Sequence, residues 1–94
     1  MRTIVWDKPA ARSFRRTVKK NPALKEAIEE TLELLAEDPF DPRLETHKLK
    51  GKLAGSWACS AGYDVRIIFH FVKNMPPGEN EILLIEIGTH DEVY

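Results

Sequence analysis

The chain has 94 residues, of which 43% are hydrophobic and 31% charged, and 15 acidic against 14 basic side chains leave a net charge of −1. A chain of this length is expected to form one domain, residues 1–94, with one core and no room for a deep cofactor pocket beside it, so an open groove or flat binding face is expected. The single cysteine, Cys59, excludes an internal disulfide, the opening MRTIVWDKPA lacks the apolar core of a signal peptide, and no apolar run approaches the length of a membrane span. These features predict a cytoplasmic protein without a membrane partner.

The near-neutral total conceals blocks of opposite sign. Residues 1–20 hold seven basic groups and one acid, residues 21–45 eight acids and two bases, residues 46–73 five bases and one acid, and residues 74–94 five acids alone. Such blocks fold into a basic and an acidic face, so the balance of charge does not exclude an RNA-binding surface.

Thr3-Ile4-Val5-Trp6 is β-branched and aromatic and predicts a first strand, stopped by Asp7. Asp7 is also suited to cap a helix with Pro9 in its first turn. That helix is expected over Lys8 to Lys20, with Ala10, Phe14 and Val18 on the core side and Arg12, Arg15, Arg16, Lys19 and Lys20 outside. Asn21-Pro22 breaks it. A second helix is expected from Ala23 to Glu37, its stripe being Leu24, Ala27, Ile28, Leu32, Leu35 and Ala36, and a short link makes the pair an antiparallel hairpin.

Asp38 to Pro42 is a turn-rich exit, and Leu44 to Gly55 is expected to be an extended loop carrying Lys48, Lys50 and Lys52 beside His47. Trp57 to Ala61 reads as a strand, Gly62 as a turn, and Asp64 to Lys73 as the strongest strand of the chain. Asn74 to Asn80 reads as a hairpin loop. Ile82 to Ile87 is the last strand, which Gly88 is expected to end, leaving a polar tip of Thr89, His90 and Asp91. The order β-α-α-β-β-β predicts an α+β fold in which an antiparallel sheet carries a two-helix hairpin on one face.

The order of elements, HKLKG at 47–51, GYDVRIIF at 62–69 and IGTHDEVY at 87–94 together resemble the RelE/ParE superfamily, the toxins of bacterial type II toxin–antitoxin modules. The His-x-Leu-x-Gly segment and the His-containing tail are most similar to the YafQ-type branch. The resemblance implies a RelE-like fold and a toxin that enters the ribosomal A site and cleaves mRNA, neutralised by a cognate antitoxin wrapped around it. Members of the ParE type share the fold and inhibit DNA gyrase by binding, so fold alone does not decide the activity. A catalytically degenerate relative, kept as an antitoxin-bound regulator, is the remaining alternative.

RNA is cut without a metal when its 2′-oxygen attacks the adjacent phosphorus and the 5′-oxygen leaves. The reaction needs a base, an acid and positive charge near the phosphate. The resemblance assigns His90 to general acid or base work, Arg66 to the scissile phosphate, His47 to a second proton transfer, Asp64 to orienting a His or assisting transfer, and Tyr94 to stacking on a base or orienting the substrate. Lys48, Lys50 and Lys52, with Arg12, Arg15, Arg16, Lys19 and Lys20, are expected to contact phosphates of the mRNA or of the A-site rRNA. His70, inside an apolar strand, is read as structural. Three scattered His and one Cys make no zinc motif, so neither metal nor cofactor is expected. One departure stands out: YafQ-like toxins carry a further His on the strand before Arg66, and RelE-like ones a Lys, where this chain has Cys59, Ser60 and Ala61.

Overall fold

A computed structural model describes residues 2–73 and 80–93. Tyr94 and all of the expected 74–80 hairpin except Asn80 lie outside the described residues. The described elements are β1 (Thr3–Trp6), α1 (Lys8–Lys20), α2 (Leu24–Glu37), a 3₁₀ turn at Pro42–Leu44, β2 (His47–Lys48), a second 3₁₀ turn at Gly51–Leu53, β3 (Trp57–Ala61), β4 (Val65–Lys73), β5 (Asn80–Thr89) and α3 (His90–Val93). The Asp7 carboxylate accepts from the Lys8 amide at 2.9 Å and starts α1, as its sequence predicts. No helix among the described residues is long and apolar enough to cross a membrane.

The five strands form one sheet in the order β1-β5-β4-β3-β2. β3, β4 and β5 are antiparallel neighbours, whereas β1 lies parallel to β5 at one edge. The α+β class and the helical hairpin hold, but the sheet is mixed rather than wholly antiparallel. A parallel neighbour needs a long crossover. Here both helices and three strands intervene, a pairing that local pattern does not reveal.

Both helices cover the same face. Ala10 of α1 and Ile28, Leu32 and Leu35 of α2 pack on Cys59, Ala61, Val65, Ile67, Phe69, Ile82, Leu84 and Ile87. Leu84 and Ile87 are three residues apart yet share this face. The reason is a bulge: Ile68 pairs with Glu86 and Phe69 with Leu84, leaving Ile85 as an extra residue that resets the alternation. The opposite face carries a smaller cluster of Ala58, Ile68 and Val93, flanked by Leu49 and Ile85. α3 folds back over that face, so the expected polar tip is a helical turn, and β5 runs through Gly88 to Thr89 instead of ending there.

α1 differs from its predicted packing. Ala10, Ser13 and Thr17 are its buried residues, while Phe14 and Val18 are only half-buried. The cause is the backbone of β5. Beyond the end of β1, Ile87 has no strand beside it on that side. Its amide donates to Ser13 Oγ at 2.9 Å and its carbonyl accepts from Thr17 Oγ1 at 3.4 Å. Ser13 Oγ donates in turn to the Ala10 carbonyl at 3.1 Å. Two small hydroxyl residues thus replace a missing strand, since buried backbone groups must be paired, and they anchor the segment that leads to His90.

The expected loop over residues 44–55 contains β2 and the second 3₁₀ turn. β2 pairs with β3 through His47↔Ala58 and Lys48↔Trp57. A two-residue strand has no alternation to betray it in a sequence.

Candidate active site

Directly paired residues on antiparallel strands point to the same face. On the face away from the two helices, Ser60, Arg66 and Gly88 form one row, and His47, Ala58, Ile68 and Glu86 form the next. His70 belongs to a third row, where its Nε2 meets Ser56 Oγ at 2.6 Å and Ser56 is buried. That pairing fits a structural His.

Arg66 is half-buried, and its Nη1 donates to the carbonyls of Tyr63 at 3.4 Å and Val65 at 3.1 Å. These contacts orient the guanidinium while leaving donors available among its five N–H groups. Among the described residues no carboxylate pairs with it, and Gly88 opposite adds no side chain. Behind it, Cys59 faces the helix core, where burial pushes the thiol up to about 12 against the opposing pull of the Arg66 charge. Cys59 is therefore an inert core residue. Ala61 is buried in the same core, so only Ser60 of the 59–61 segment shares Arg66's face.

Register brings His90 to Arg66. Val65 pairs with Thr89 and Arg66 with Gly88, and the His90 amide donates to the Asp64 carbonyl at 3.0 Å. One strand spacing and two residues of rise put the Cα atoms of Arg66 and His90 about 8 Å apart. The His90 ring is exposed, with Nδ1 at 3.7 Å from Asp91 Oδ1, too long for a hydrogen bond. The Asp64 side chain is exposed.

His47 is held separately. Its Nδ1 lies 2.9 Å from the Glu45 carbonyl, and Glu45 adopts a left-handed φ of 52°. A carbonyl only accepts, so in the neutral ring Nδ1 carries the proton and Nε2 faces solvent as an acceptor. Three strand spacings and the offset in rows place His47 roughly 15–20 Å from His90. The structure does not bring these two His together.

Lys48 is not beside His47, as expected, but on the opposite face, its Nζ 5.4 Å from the centre of the Trp57 ring. Alternation along β2 is the reason. Lys50 and Lys52 are exposed on and beside the second 3₁₀ turn. Arg12, Arg15, Arg16, Lys19 and Lys20 are all exposed on α1, which lies on the helix side of the sheet. Most of that basic ridge is thus separated from Arg66 by the sheet, and only Lys20 comes round to the sheet end, near Asp64 and Thr89. Tyr63, which the sequence reading passed over, is 99% exposed on the β3–β4 turn. An aromatic inside a glycine-containing turn was its signal. Among the described residues no group of three His, Cys, Asp or Glu is placed to hold a metal ion.

Comparisons with known proteins agree with this architecture. Residues 2–94 match the family described as the bacterial toxin of the type II toxin–antitoxin system, YafQ. Comparison with curated proteins finds no match. The solved structure of YafQ from E. coli superposes with a TM-score of 0.78 at 14% identity, covering 100% of this chain and 99% of that one. A copper-bound mutant toxin from Helicobacter pylori superposes with a TM-score of 0.73 at 26% identity, covering 100% of both chains. The E. coli DinJ–YafQ toxin–antitoxin complex gives 0.75 at 15% identity, covering 99% of this chain and 97% of that one.

Proposed function

The chain belongs to the YafQ family of bacterial type II toxins, and from that premise we propose that it is a metal-independent mRNA endoribonuclease that works in the ribosomal A site and is held in check by a cognate antitoxin. The observation that carries the proposal is the register that sets Arg66, Asp64 and His90 around one end of the β4–β5 pair.

In the reaction, the 2′-oxygen bonds to phosphorus as the bond from phosphorus to the 5′-oxygen breaks, giving a cyclic 2′,3′-phosphate and a 5′-hydroxyl. Arg66 takes the charge that builds on the non-bridging oxygens. His90 gives a proton to the leaving 5′-oxygen, and Asp64 assists removal of the 2′-proton. His47, too distant to share that phosphate, holds the strand further along through its outward Nε2. Tyr94 is given the base-stacking role that the family resemblance implies. Lys48, Lys50 and Lys52 and the ridge of α1 meet rRNA or mRNA phosphates from two sides, which makes binding weaken as salt rises. Ser60 stands where relatives hold a basic group, so the reaction proceeds with less charge at the phosphate. The antitoxin covers the Arg66 face and blocks entry to the ribosome.

The test is induced expression in a bacterium of wild type, His90→Gln and Arg66→Gln, with primer extension on a reporter mRNA. Growth arrest with in-frame cuts that disappear in both variants supports the nuclease. Arrest without cuts, unchanged in the variants, refutes it and points to a binding poison such as a gyrase inhibitor.

A further inference from the structure

The turn between β3 and β4 carries a feature that the reaction scheme above does not use. Tyr63 is 99% exposed, so its ring is packed against nothing in its own chain. The turn that presents it is well defined: Gly62 has a φ of 74°, a value that favours glycine, and the Tyr63 carbonyl accepts from Arg66. The same turn lines a cleft of about 290 Å³ together with Leu24, Val65 and the buried Thr17, and with Lys20, Asn21, Asp64 and Thr89. That volume is at the bottom of the range for ligand sites, about 300 Å³ and upward, and suits one small planar group.

We propose that Tyr63 and this cleft receive one unpaired base of the RNA, the nucleotide next to the phosphate held by Arg66. The inference rests on the nuclease reading and gives it a base subsite. An exposed aromatic ring offers a stacking surface that any base can use, and sequence-tolerant stacking is how proteins hold single strands. The apolar inner wall takes the base plane. The Asn21 amide offers a donor and an acceptor to the base edge. Lys20, at the end of α1, lines the cleft and attracts the adjoining phosphate. The Tyr63 carbonyl accepts from the Arg66 guanidinium, and the cleft opens at the same turn on the helix side of the sheet. The RNA then bends round the end of the sheet, which splays the base out of the stack.

The experiment uses programmed ribosomes whose mRNA carries 2-aminopurine in the A-site codon and a 2′-methoxy group at the attacked position, so that nothing is cut. Fluorescence reports stacking of the base as the full-length protein is added, and the same variants are assayed for cutting on unmodified mRNA. Wild type and Tyr63→Phe are expected to change the fluorescence alike. Tyr63→Ala should abolish that change and weaken binding about 5- to 150-fold, the range for losing one base–aromatic stack. Asn21→Ala should shift the preferred codon. Tyr63 buries no surface, so its replacement leaves folding intact, which thermal melting checks. If Tyr63→Ala stacks and cuts like wild type, the base subsite is refuted while the nuclease stands. If wild type stacks the base yet never cuts unmodified mRNA, the subsite is supported and the nuclease falls. If wild type does neither, both are overturned.

Discussion

Replacing Ser13 by Ala removes one hydroxyl oxygen from the underside of the sheet. That oxygen is the acceptor for the Ile87 amide at 2.9 Å, at a point where β1 no longer flanks β5. Ser13 is 3% exposed, so water does not replace the lost bond. An unpaired buried amide costs about 1–3 kcal/mol, and the better helix propensity of Ala returns roughly 0.5 kcal/mol. The net loss is about 0.5–2.5 kcal/mol. For a chain of this size each kcal/mol moves the melting temperature by about 4–8 °C, so Ser13→Ala should melt roughly 2–20 °C lower. Circular dichroism measures this, and hydrogen exchange should show the Ile87 amide losing protection while the centre of β4 keeps its own. Ser13→Thr, which retains the hydroxyl, should lose far less. A melting temperature within one degree of wild type, with Ile87 still protected, would refute the view that side-chain hydroxyls complete the β5 edge.

Other predictions follow from the same geometry. Cys59, pushed up to about 12 by burial, should resist thiol reagents at neutral pH until denaturant is added; rapid labelling of the native protein contradicts its placement. Asp41 is held at about 2, below its ordinary 3.8, chiefly by the Arg43 side chain, which lies 2.9 Å away. Its folded-state value is depressed, so its contribution to stability is full above about pH 4 and is lost as the pH falls through 2; carboxyl resonances followed by NMR should show this, with Arg43→Gln returning Asp41 towards 3.8. Ser60→His places a basic group directly opposite Arg66 on the open face and should raise the cutting rate on programmed ribosomes; an unchanged or lower rate would argue that the departure at this position is not a lost charge.

Much of this fold was legible in the sequence because it is local. Asp7 capping α1, the stripe of α2 from Ile28 to Ala36 and the apolar run of β4 each follow from a period or a cap. What escaped was non-local. Ser13 and Thr17 look like outward polar residues until the unpaired Ile87 backbone is set beside them, while Phe14 and Val18 look like core until the helix is rotated to meet it. The parallel β1–β5 pair and the two-residue β2 rest on partners distant in sequence. The bulge at Ile85 cannot be read from alternation, since it is the place where alternation stops. At the site, motif order singled out Arg66, Asp64 and His90, and register brings them together. His47 was grouped with them by resemblance, yet β2 lies at the opposite side of the face. Lys48 was grouped with His47 by adjacency, although adjacent residues on a strand point apart.

In the proposed reaction Arg66 and His90 act at one phosphate. The direct measurement is the single-turnover cutting rate on programmed ribosomes for wild type, Arg66→Gln, His90→Gln and His47→Gln. The geometry predicts losses of about 10²- to 10⁴-fold for His90→Gln and about 10²- to 10³-fold for Arg66→Gln, with cutting by His47→Gln restored when the protein is raised to saturation. A full-rate His90→Gln, or a His47→Gln that stays equally crippled at saturation, would contradict it and move the chemistry to the other side of the face.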